Sequence, residues 1–302
     1  MIKYLEEGFY MELISVDNRT YVIPGGTNVG VFRIGERDCI LIDTGLQEGM
    51  ALRIRRCLEA KGWKPLALLT THAHGDHFGA HGRLQELYPE MEIYAPPEER
   101  PFMSNPLLWL YVLYGAHPFA QLQVPVLLPP RLEEEKLSPL VPGNFRYPLE
   151  VLKTPGHTLG HTAFLTPEGV LFCGDALIHP QFFKSYPLPL VQNLSAQLET
   201  LKSIESLSPQ VIVPSHGSWS LPCKDLVKAN RDQIEFIMEK LLALLKEQPL
   251  TREELLSALG ITREATQYLL YHSSLGAFLS FLVDKGEVGF ALERGKMCFS
   301  KV

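Results

Sequence analysis

The sequence predicts an α/β fold, in which short strands alternate with helices, followed by a small α+β unit. Three observations support this prediction. Apolar runs of strand length fill the first 45 residues, strand and helix patterns alternate from there to residue 248, and short helices and a hairpin follow. We therefore expect a main domain at residues 1–248 and a C-terminal unit at residues 249–302.

The first elements are strands, because short apolar runs are separated by Asp-Asn, Gly-Gly and Gly-Glu turn signals. These runs are MELISVD, TYVIPG, VGVFRIG and DCILID. Residues 46–62 change to the spacing of an amphipathic helix, which Gly62 ends.

Strands and helices then alternate. The spacing predicts a strand at Leu66–Thr70, a helix over about His77–Leu87 and a strand at Glu92–Tyr94. Strand patterns return in LEVLKTP, HTAFLTP and GVLFCGD. A helix near Leu194–Leu207, the strand QVIVP and a long helix with one apolar stripe complete the domain, which Pro249 ends.

The C-terminal unit resembles a winged helix. Thr251 and Glu254 predict a capping box that opens a short helix. A second short helix follows Thr262, a third covers about Ser274–Asp284, and the last 16 residues predict a hairpin that turns at Arg294-Gly295. The unit carries six basic and six acidic residues. This balance disfavours nucleic-acid binding and favours a structural cap on the main domain.

Composition excludes several classes of protein. Apolar residues make up 46% and charged residues 21%, which excludes a disordered chain, and the net charge of −6 gives no basic footprint for nucleic acid. The longest charge-free stretch, Pro101–Pro130, contains six prolines and is not expected to span a membrane. The N-terminus lacks the apolar core of a secretory leader, and the five cysteines form no CxxC pair. We expect a cytoplasmic protein.

One histidine-rich segment contains candidate metal ligands. His72 and His74 leave a strand two residues apart, so both side chains point the same way and can hold one ion. Asp76 and His77 follow at the start of a helix, where adjacent side chains diverge and suit a second ion. Gly75 between the pairs is expected to allow a tight turn.

Three further candidate ligands follow strands in the same way. They are His157, Asp175 and His216. Strand ends of this kind converge on the crevice where sheet proteins bind ligands. Nitrogen and oxygen ligands without a thiolate suit Zn²⁺, Mn²⁺ or Fe, and a set large enough for two ions suits metal-assisted hydrolysis.

The motifs THAHGDH, TPGHTLGH, CGDAL and PSHG, in this order, resemble those of the metallo-β-lactamase-fold hydrolases. LIDTG at residues 41–45 is similar to the Asp-bearing strand upstream in that superfamily. The resemblance covers roughly residues 10–220 and includes its glyoxalase II-like members and a branch with a winged-helix tail. It implies a four-layer αββα sandwich with a dinuclear site at one edge.

The resemblance also implies roles for single residues. Two divalent ions are expected, with Zn²⁺ favoured and Fe or Mn as alternatives. One ion would be held by His72, His74 and His157, the other by Asp76, His77 and His216, and Asp175 would bridge them. Asp76 would also orient the nucleophile, and Asp43 would fix the loop of His72 and His74 from behind. His161 is interpreted as structural, and His74, at a position that is usually acidic in oxygen-reducing diiron relatives, favours hydrolysis.

Two features suggest which residues determine the choice of substrate. An apolar insert at about residues 96–130, which is charge-free from Pro101 to Pro130, contains Trp109 and other aromatics; it is either an apolar lid over the metals or a packing or homodimer surface. Lys184 and Tyr186 lie nine and eleven residues after Asp175, at offsets similar to those of the glutathione-holding pair in glyoxalase II enzymes.

The sequence therefore leaves two main hypotheses about the function of the protein. The favoured one is a dinuclear metal-dependent hydrolase of a small-molecule ester, thioester or lactone with an apolar part. The alternative is a metal-dependent nuclease or nucleic-acid-binding protein that uses the C-terminal unit. A metal-bound oxygenase is a third, less favoured hypothesis.

Overall fold

Two facing β-sheets with helices on both outer faces build the main part of the molecule. The structure is a computed structural model, and it describes residues 12–143, 145–261 and 264–302. The order of layers is helix, sheet, sheet, helix. The predicted αββα sandwich is confirmed.

Within the described residues, seven strands form the first sheet, in chain order, and four form the second, in the order β11-β10-β9-β8. The first sheet contains β1 (Ile14–Ser15), β2 (Thr20–Ile23), β3 (Val29–Arg33), β4 (Asp38–Ile42), β5 (Lys64–Leu69), β6 (Glu92–Ala95) and β7 (Leu137–Pro139). The second contains β8 (Glu150–Lys153), β9 (Thr162–Leu165), β10 (Val170–Gly174) and β11 (Val211–Pro214). A separate hairpin consists of β12 (Val288–Glu293) and β13 (Lys296–Lys301).

The α-helices differ widely in length. They are α1 (Glu48–Glu59), α2 (Gly75–Phe78), α3 (His81–Leu87), α4 (Arg100–Ser104), α5 (Leu107–Tyr114), α6 (Leu194–Leu207), α7 (Cys223–Glu247), α8 (Arg252–Ala258) and α9 (Ala265–Asp284). Across the described part of the chain, no helix combines the length and apolar character needed to cross a bilayer.

Alternation along the strands accounts for the layers. In β3, Val29 and Val31 pack against the core formed with α1 and α3, while Phe32 faces the second sheet. In β10, Phe172 meets Phe32 between the sheets, and Leu171 packs against the helices on the opposite face. Each sheet is therefore buried on both faces, as its nearly continuous apolar strands require.

One edge of the sandwich collects strand ends. β10 pairs in parallel with β11, and both β8 and β10 are antiparallel to β9, so β8, β10 and β11 end at the same edge. The first sheet joins them there, because the Thr162 amide at the start of β9 donates to the Thr71 carbonyl after β5, at 3.0 Å. The predicted convergence of strand ends is the feature that positions the site.

The helix predicted over about His77–Leu87 is interrupted. It is divided into α2 and α3, because the Ala80 amide donates to the Gly45 carbonyl at 3.2 Å instead of continuing the helix. Gly79 lies against the Leu46 carbonyl, which is 2.2 Å from the position that a Cβ on Gly79 would take. The chain after β4 therefore breaks the helix by lying directly across it.

The prediction of three C-terminal helices is wrong. The capping box of Thr251 and Glu254 is present and opens α8, and the hairpin turns at Arg294-Gly295. The second and third predicted helices are instead one continuous helix, α9. Polar Ser274 does not break it, because its hydroxyl is buried and is bonded to the loop before α6.

The C-terminal elements pack into the same core as α6 and α7. The division at residue 249 and the winged-helix description stay predictions. The start of the second helix at Thr262 lies outside the described residues, as does the N-terminal stretch on which the expectation about a secretory leader depended.

Candidate metal centre

Three histidine nitrogens meet at the edge of the sandwich. His72 Nε2 lies 2.9 Å from His74 Nδ1, and His157 Nε2 lies 3.2 Å from the first and 3.0 Å from the second. A tetrahedral Zn²⁺ with bonds of 2.0–2.1 Å keeps its nitrogen ligands about 3.3 Å apart. The spacing of these three atoms is close to that of one face of such a site.

A second group lies beside the first. Asp76 Oδ2 is 3.8 Å from His77 Nε2 and 3.4 Å from His216 Nε2. Asp175 Oδ1 is 3.5 Å from His77 Nε2 and 3.6 Å from His216 Nε2, and Asp175 Oδ2 is 3.5 Å from His157 Nε2. Each oxygen of Asp175 therefore faces a different group, which is the geometry of a bridging ligand.

The donor set fits divalent ions. His77 Nε2 is fully buried, faces two carboxylates and makes no hydrogen bond within the described part of the structure. A buried nitrogen without a partner is unfavourable unless something binds it, and a metal ion would do so. The structure brings all seven predicted ligands together, and their role as ligands stays a prediction.

Gly75 is needed for a reason other than the predicted tight turn. Its backbone is not left-handed. Instead, a Cβ there would lie 2.7 Å from the Val126 carbonyl oxygen and 2.8 Å from that of Pro125. The insert therefore lies directly on the segment that carries Asp76 and His77.

Asp43 orients the centre through three hydrogen bonds. Its Oδ1 accepts from the Thr71 amide at 2.8 Å, and its Oδ2 accepts from the Thr71 hydroxyl and from His77 Nδ1, both at 2.8 Å. It thus binds the segment before His72 and also binds His77 directly, and its supporting role for the loop of His72 and His74 stays a prediction. The bond to Nδ1 leaves His77 Nε2 free to face the centre.

Backbone carbonyls orient two other imidazoles. His157 Nδ1 donates to the Leu190 carbonyl at 2.7 Å, and His216 Nδ1 donates to the Gly26 carbonyl at 2.6 Å. These bonds place the proton on Nδ1 and leave each Nε2 as the atom that faces the centre.

His161 supports Asp175 from behind. Its Nε2 accepts from the Asp175 amide at 3.0 Å, while its Nδ1 is bonded to the Thr154 hydroxyl at 2.8 Å. Gly174 makes this possible, because its φ is 55° and a Cβ there would lie only 2.4 Å from His161 Nε2.

Burial and charge divide the histidines into two classes. Burial, with neighbouring imidazoles, lowers the pKa of His72 and lowers that of His74 to about 3, so both are neutral, as metal ligands must be. Burial opposes a charge on His77 and His216 as well, but the carboxylates of Asp175 and Asp76 outweigh it and raise the pKa of His77 to about 10. Protons on these two histidines thus balance the carboxylates, and a metal ion that bound there would displace them.

Sequence reasoning missed Glu99, which ties two ligand loops together. One of its oxygens accepts from the Ala73 amide, between His72 and His74, at 2.9 Å. The other accepts from the Thr158 hydroxyl and the Gly160 amide, both at 2.7 Å. Glu99 lies in the polar run PPEER, where nothing in the sequence distinguishes it from a surface residue.

Of the predicted substrate residues, only Trp109 lies against the cluster. Its ring centroid is 4.9 Å from that of His74, and 7% of the residue is exposed. Lys184 and Tyr186 are exposed, and within the described residues neither side chain forms a hydrogen bond with a predicted ligand. The glutathione-holding role stays a prediction.

The sequence model of the metallo-beta-lactamase superfamily matches residues 22–216. This chain belongs to that superfamily. A beta-lactamase domain protein from Burkholderia ambifaria superposes with a TM-score of 0.79 over 98% of this chain and 95% of its own, at 18% identity. The two proteins therefore share one fold over nearly the whole length of this chain, including its C-terminal elements.

Two other relatives bear on chemistry. A hydroxyacylglutathione hydrolase from Buchnera aphidicola is 31% identical over 139 residues, which are 46% of this chain and 42% of the relative. The chain spans about half the length of the curated relatives that it matches. A protein solved in a di-iron-bound form is 29% identical, with a TM-score of 0.50 over 68% of this chain and 93% of its own.

Proposed function

We propose that this superfamily protein is a dinuclear metal-dependent hydrolase of a small-molecule ester, thioester or lactone. The observation that carries the proposal is Asp175, whose two oxygens face two separate groups of ligand atoms. The name of the hydroxyacylglutathione hydrolase relatives supports a thioester among these substrates.

Zn²⁺ is the ion we favour, with Fe and Mn as alternatives. Imidazole and carboxylate donors without sulfur bind all three ions. The relative solved in a di-iron-bound form supports iron as the first alternative.

The residues of the chain divide the catalytic work. Two divalent ions held by these residues would supply hydroxide at neutral pH and would polarise the substrate oxygen. Asp76 lies on the open side, with 28% of its side chain exposed, so its carboxylate can orient the nucleophile and accept its proton. Asp175, which His161 supports, fixes the positions of the two ligand groups relative to each other. Trp109 packs on His74 and excludes water from that side of the centre.

Metal stoichiometry tests this proposal. We expect carefully loaded protein to hold about two equivalents of metal and His216→Ala to hold about one, because His216 contributes only to the second group. Elemental analysis measures both. His117→Ala, which removes an exposed histidine of the insert, is the matched control and should keep two equivalents.

The same samples should be assayed on thioester, lactone, phosphodiester and β-lactam substrates. Turnover of a thioester or lactone that follows the metal content supports the proposed function. A stoichiometry that never exceeds one, unchanged by His216→Ala, contradicts a dinuclear centre, and turnover confined to phosphodiesters favours the nuclease hypothesis.

The insert is expected to decide substrate choice. Trp109→Ala should raise KM for esters with long apolar chains by about tenfold and leave a minimal ester nearly unaffected, because contacts to a remote chain mainly affect binding. Steady-state kinetics on the two substrates measure this difference. Tyr111→Ala, which removes an exposed aromatic of the same helix, is the control.

Trp109 is buried, so thermal unfolding and size-exclusion chromatography must accompany the kinetics. Trp109→Leu keeps most of the packing and should show the same change in substrate selectivity as Trp109→Ala. Equal losses on both substrates, or dissociation of a dimer, would assign the insert to packing or self-association instead.

A further inference from the structure

A cavity of about 600 Å³ lies between the insert and the C-terminal elements. It is lined by the end of α5, the start of α6, Arg252 of α8 and one side of α9. This volume is large enough for a small organic molecule. The mechanism described above does not use it.

Two walls of this cavity belong to segments that also contact the candidate metal centre. Leu113, in one wall, follows Trp109 by about one helical turn, and Trp109 packs on His74. Asn193, in the opposite wall, donates its backbone amide to the Gly156 carbonyl, next to His157, at 3.0 Å. A molecule in the cavity therefore lies next to the helix that packs on His74 and next to the segment that bonds to the neighbour of His157.

Arg252 gives the cavity a positive end. Its guanidinium lies flat on α9 at Gly276, where a Cβ would be 3.2 Å from its Cζ. Its hydrogen bonds go to His272, to Nδ1 at 3.4 Å and to the carbonyl at 3.5 Å, both long. The neighbouring carboxylate of Glu253 pairs with His272 instead, at 3.2 Å. Among the residues that the structure describes, Arg252 makes no other hydrogen bond, so most donors of this guanidinium are available to a ligand.

The remaining charges agree with this polarity. The first residues of α6 line the cavity next to Asn193, and the amino end of a 14-residue helix adds partial positive charge. The carboxylate in the lining, that of Asp284, lies eight residues after Gly276, about 12 Å farther along α9. The Arg252 end therefore favours an anion, and the apolar side chains of Leu113 and Phe281 favour a carbon chain.

We propose that this cavity binds the negatively charged end, a carboxylate or phosphate, of the substrate. The protein would then hydrolyse anionic esters or thioesters, with the scissile group at the metals and the anionic group at Arg252. This substrate class rests on the proposed function, whereas the anion site does not.

Direct binding tests the site. Metal-loaded full-length protein should be titrated by calorimetry with 4-phenylbutyrate, phenyl phosphate and the neutral 4-phenylbutyramide. We expect one or both anions to bind and the amide to bind at least tenfold more weakly. Arg252→Gln should weaken anion binding by about 10- to 100-fold, the effect of losing a charge-assisted hydrogen-bonded pair.

Control variants separate this effect from unfolding and from binding at the metals. Arg252→Lys keeps the charge and should keep part of the affinity, and Arg294→Gln, at an exposed turn, should leave it unchanged. Melting temperatures of all variants should be recorded. Anion binding that is equal in the Arg252→Gln and unaltered proteins places the anion elsewhere and overturns the proposal.

Kinetics test the link to the substrate. Nitrophenyl esters of dicarboxylic acids of increasing length should be compared with their neutral terminal amides. We expect a preference for the anionic member of about tenfold or more in kcat/KM at one chain length, lost in Arg252→Gln. If no ester is hydrolysed while Arg252-dependent binding persists, the proposed function fails and the anion site stands. If esters are hydrolysed without a charge preference, the substrate assignment is overturned.

Discussion

Replacing Asp76 by Asn is expected to lower kcat by about 10²- to 10⁴-fold while the protein keeps most of its metal. The amide oxygen still reaches the second ligand group, but it carries no negative charge to orient hydroxide or accept its proton. Elemental analysis and steady-state kinetics on one preparation measure the two quantities separately.

Asp232→Asn is the matched control, because among the described residues this exposed carboxylate pairs only with Lys228, on the surface of α7. It should leave both quantities unchanged. Near-normal turnover in Asp76→Asn would reduce Asp76 to a ligand, and parallel loss of metal and activity would leave no separate catalytic role for it.

Asp43→Ala is expected to lower the free energy of unfolding by about 3–5 kcal/mol, which is typical when one partner of a buried charged pair is removed. The change leaves the Thr71 amide and His77 Nδ1 without their acceptor inside the protein. Metal affinity should fall by about 10- to 100-fold, because the ring of His77 loses the bond that orients it.

Urea unfolding of metal-free protein and competition with a chelator measure the two effects. Asp43→Asn is the informative comparison: its amide tolerates the left-handed backbone at this position, where φ is 55°, and retains one acceptor oxygen. It should lose less stability than Asp43→Ala. A change below about 1 kcal/mol in Asp43→Ala would show that the buried carboxylate does not hold the segment.

The fold and the cluster of candidate ligands could be predicted because both follow from local patterns. Strand alternation determines which side chains face each layer, and residues that follow parallel strands meet at one edge whatever the loops do. His157 and His216 therefore both face Asp175, although 59 positions separate them in the sequence. Only the pattern of strands was needed to expect this.

The contacts that hold the cluster could not be predicted in the same way. Glu99 accepts hydrogen bonds from backbone amides of two distant loops. Because every residue type except proline has such an amide, the sequence does not indicate which residues the carboxylate binds. Ser274 and Gly276 disfavour a continuous helix by their local propensity. In the structure, Ser274 bonds to the loop that holds His157, and Gly276 leaves space for the guanidinium of Arg252. These roles depend on tertiary neighbours rather than on local propensity.

The distribution of the ligands over both sheets has a consequence for synthesis of the protein. His72 leaves the ribosome early, whereas His216 follows β11 and emerges about 7 to 30 s later at ordinary rates of elongation. During this interval the nascent chain displays His72, His74 and His77 without the opposite half of their site. An ion captured then would be held loosely and would exchange with the surrounding pool. A metal in the proposed centre would thus be selected after most of the polypeptide has been made, from the ions that are available when the last strand docks.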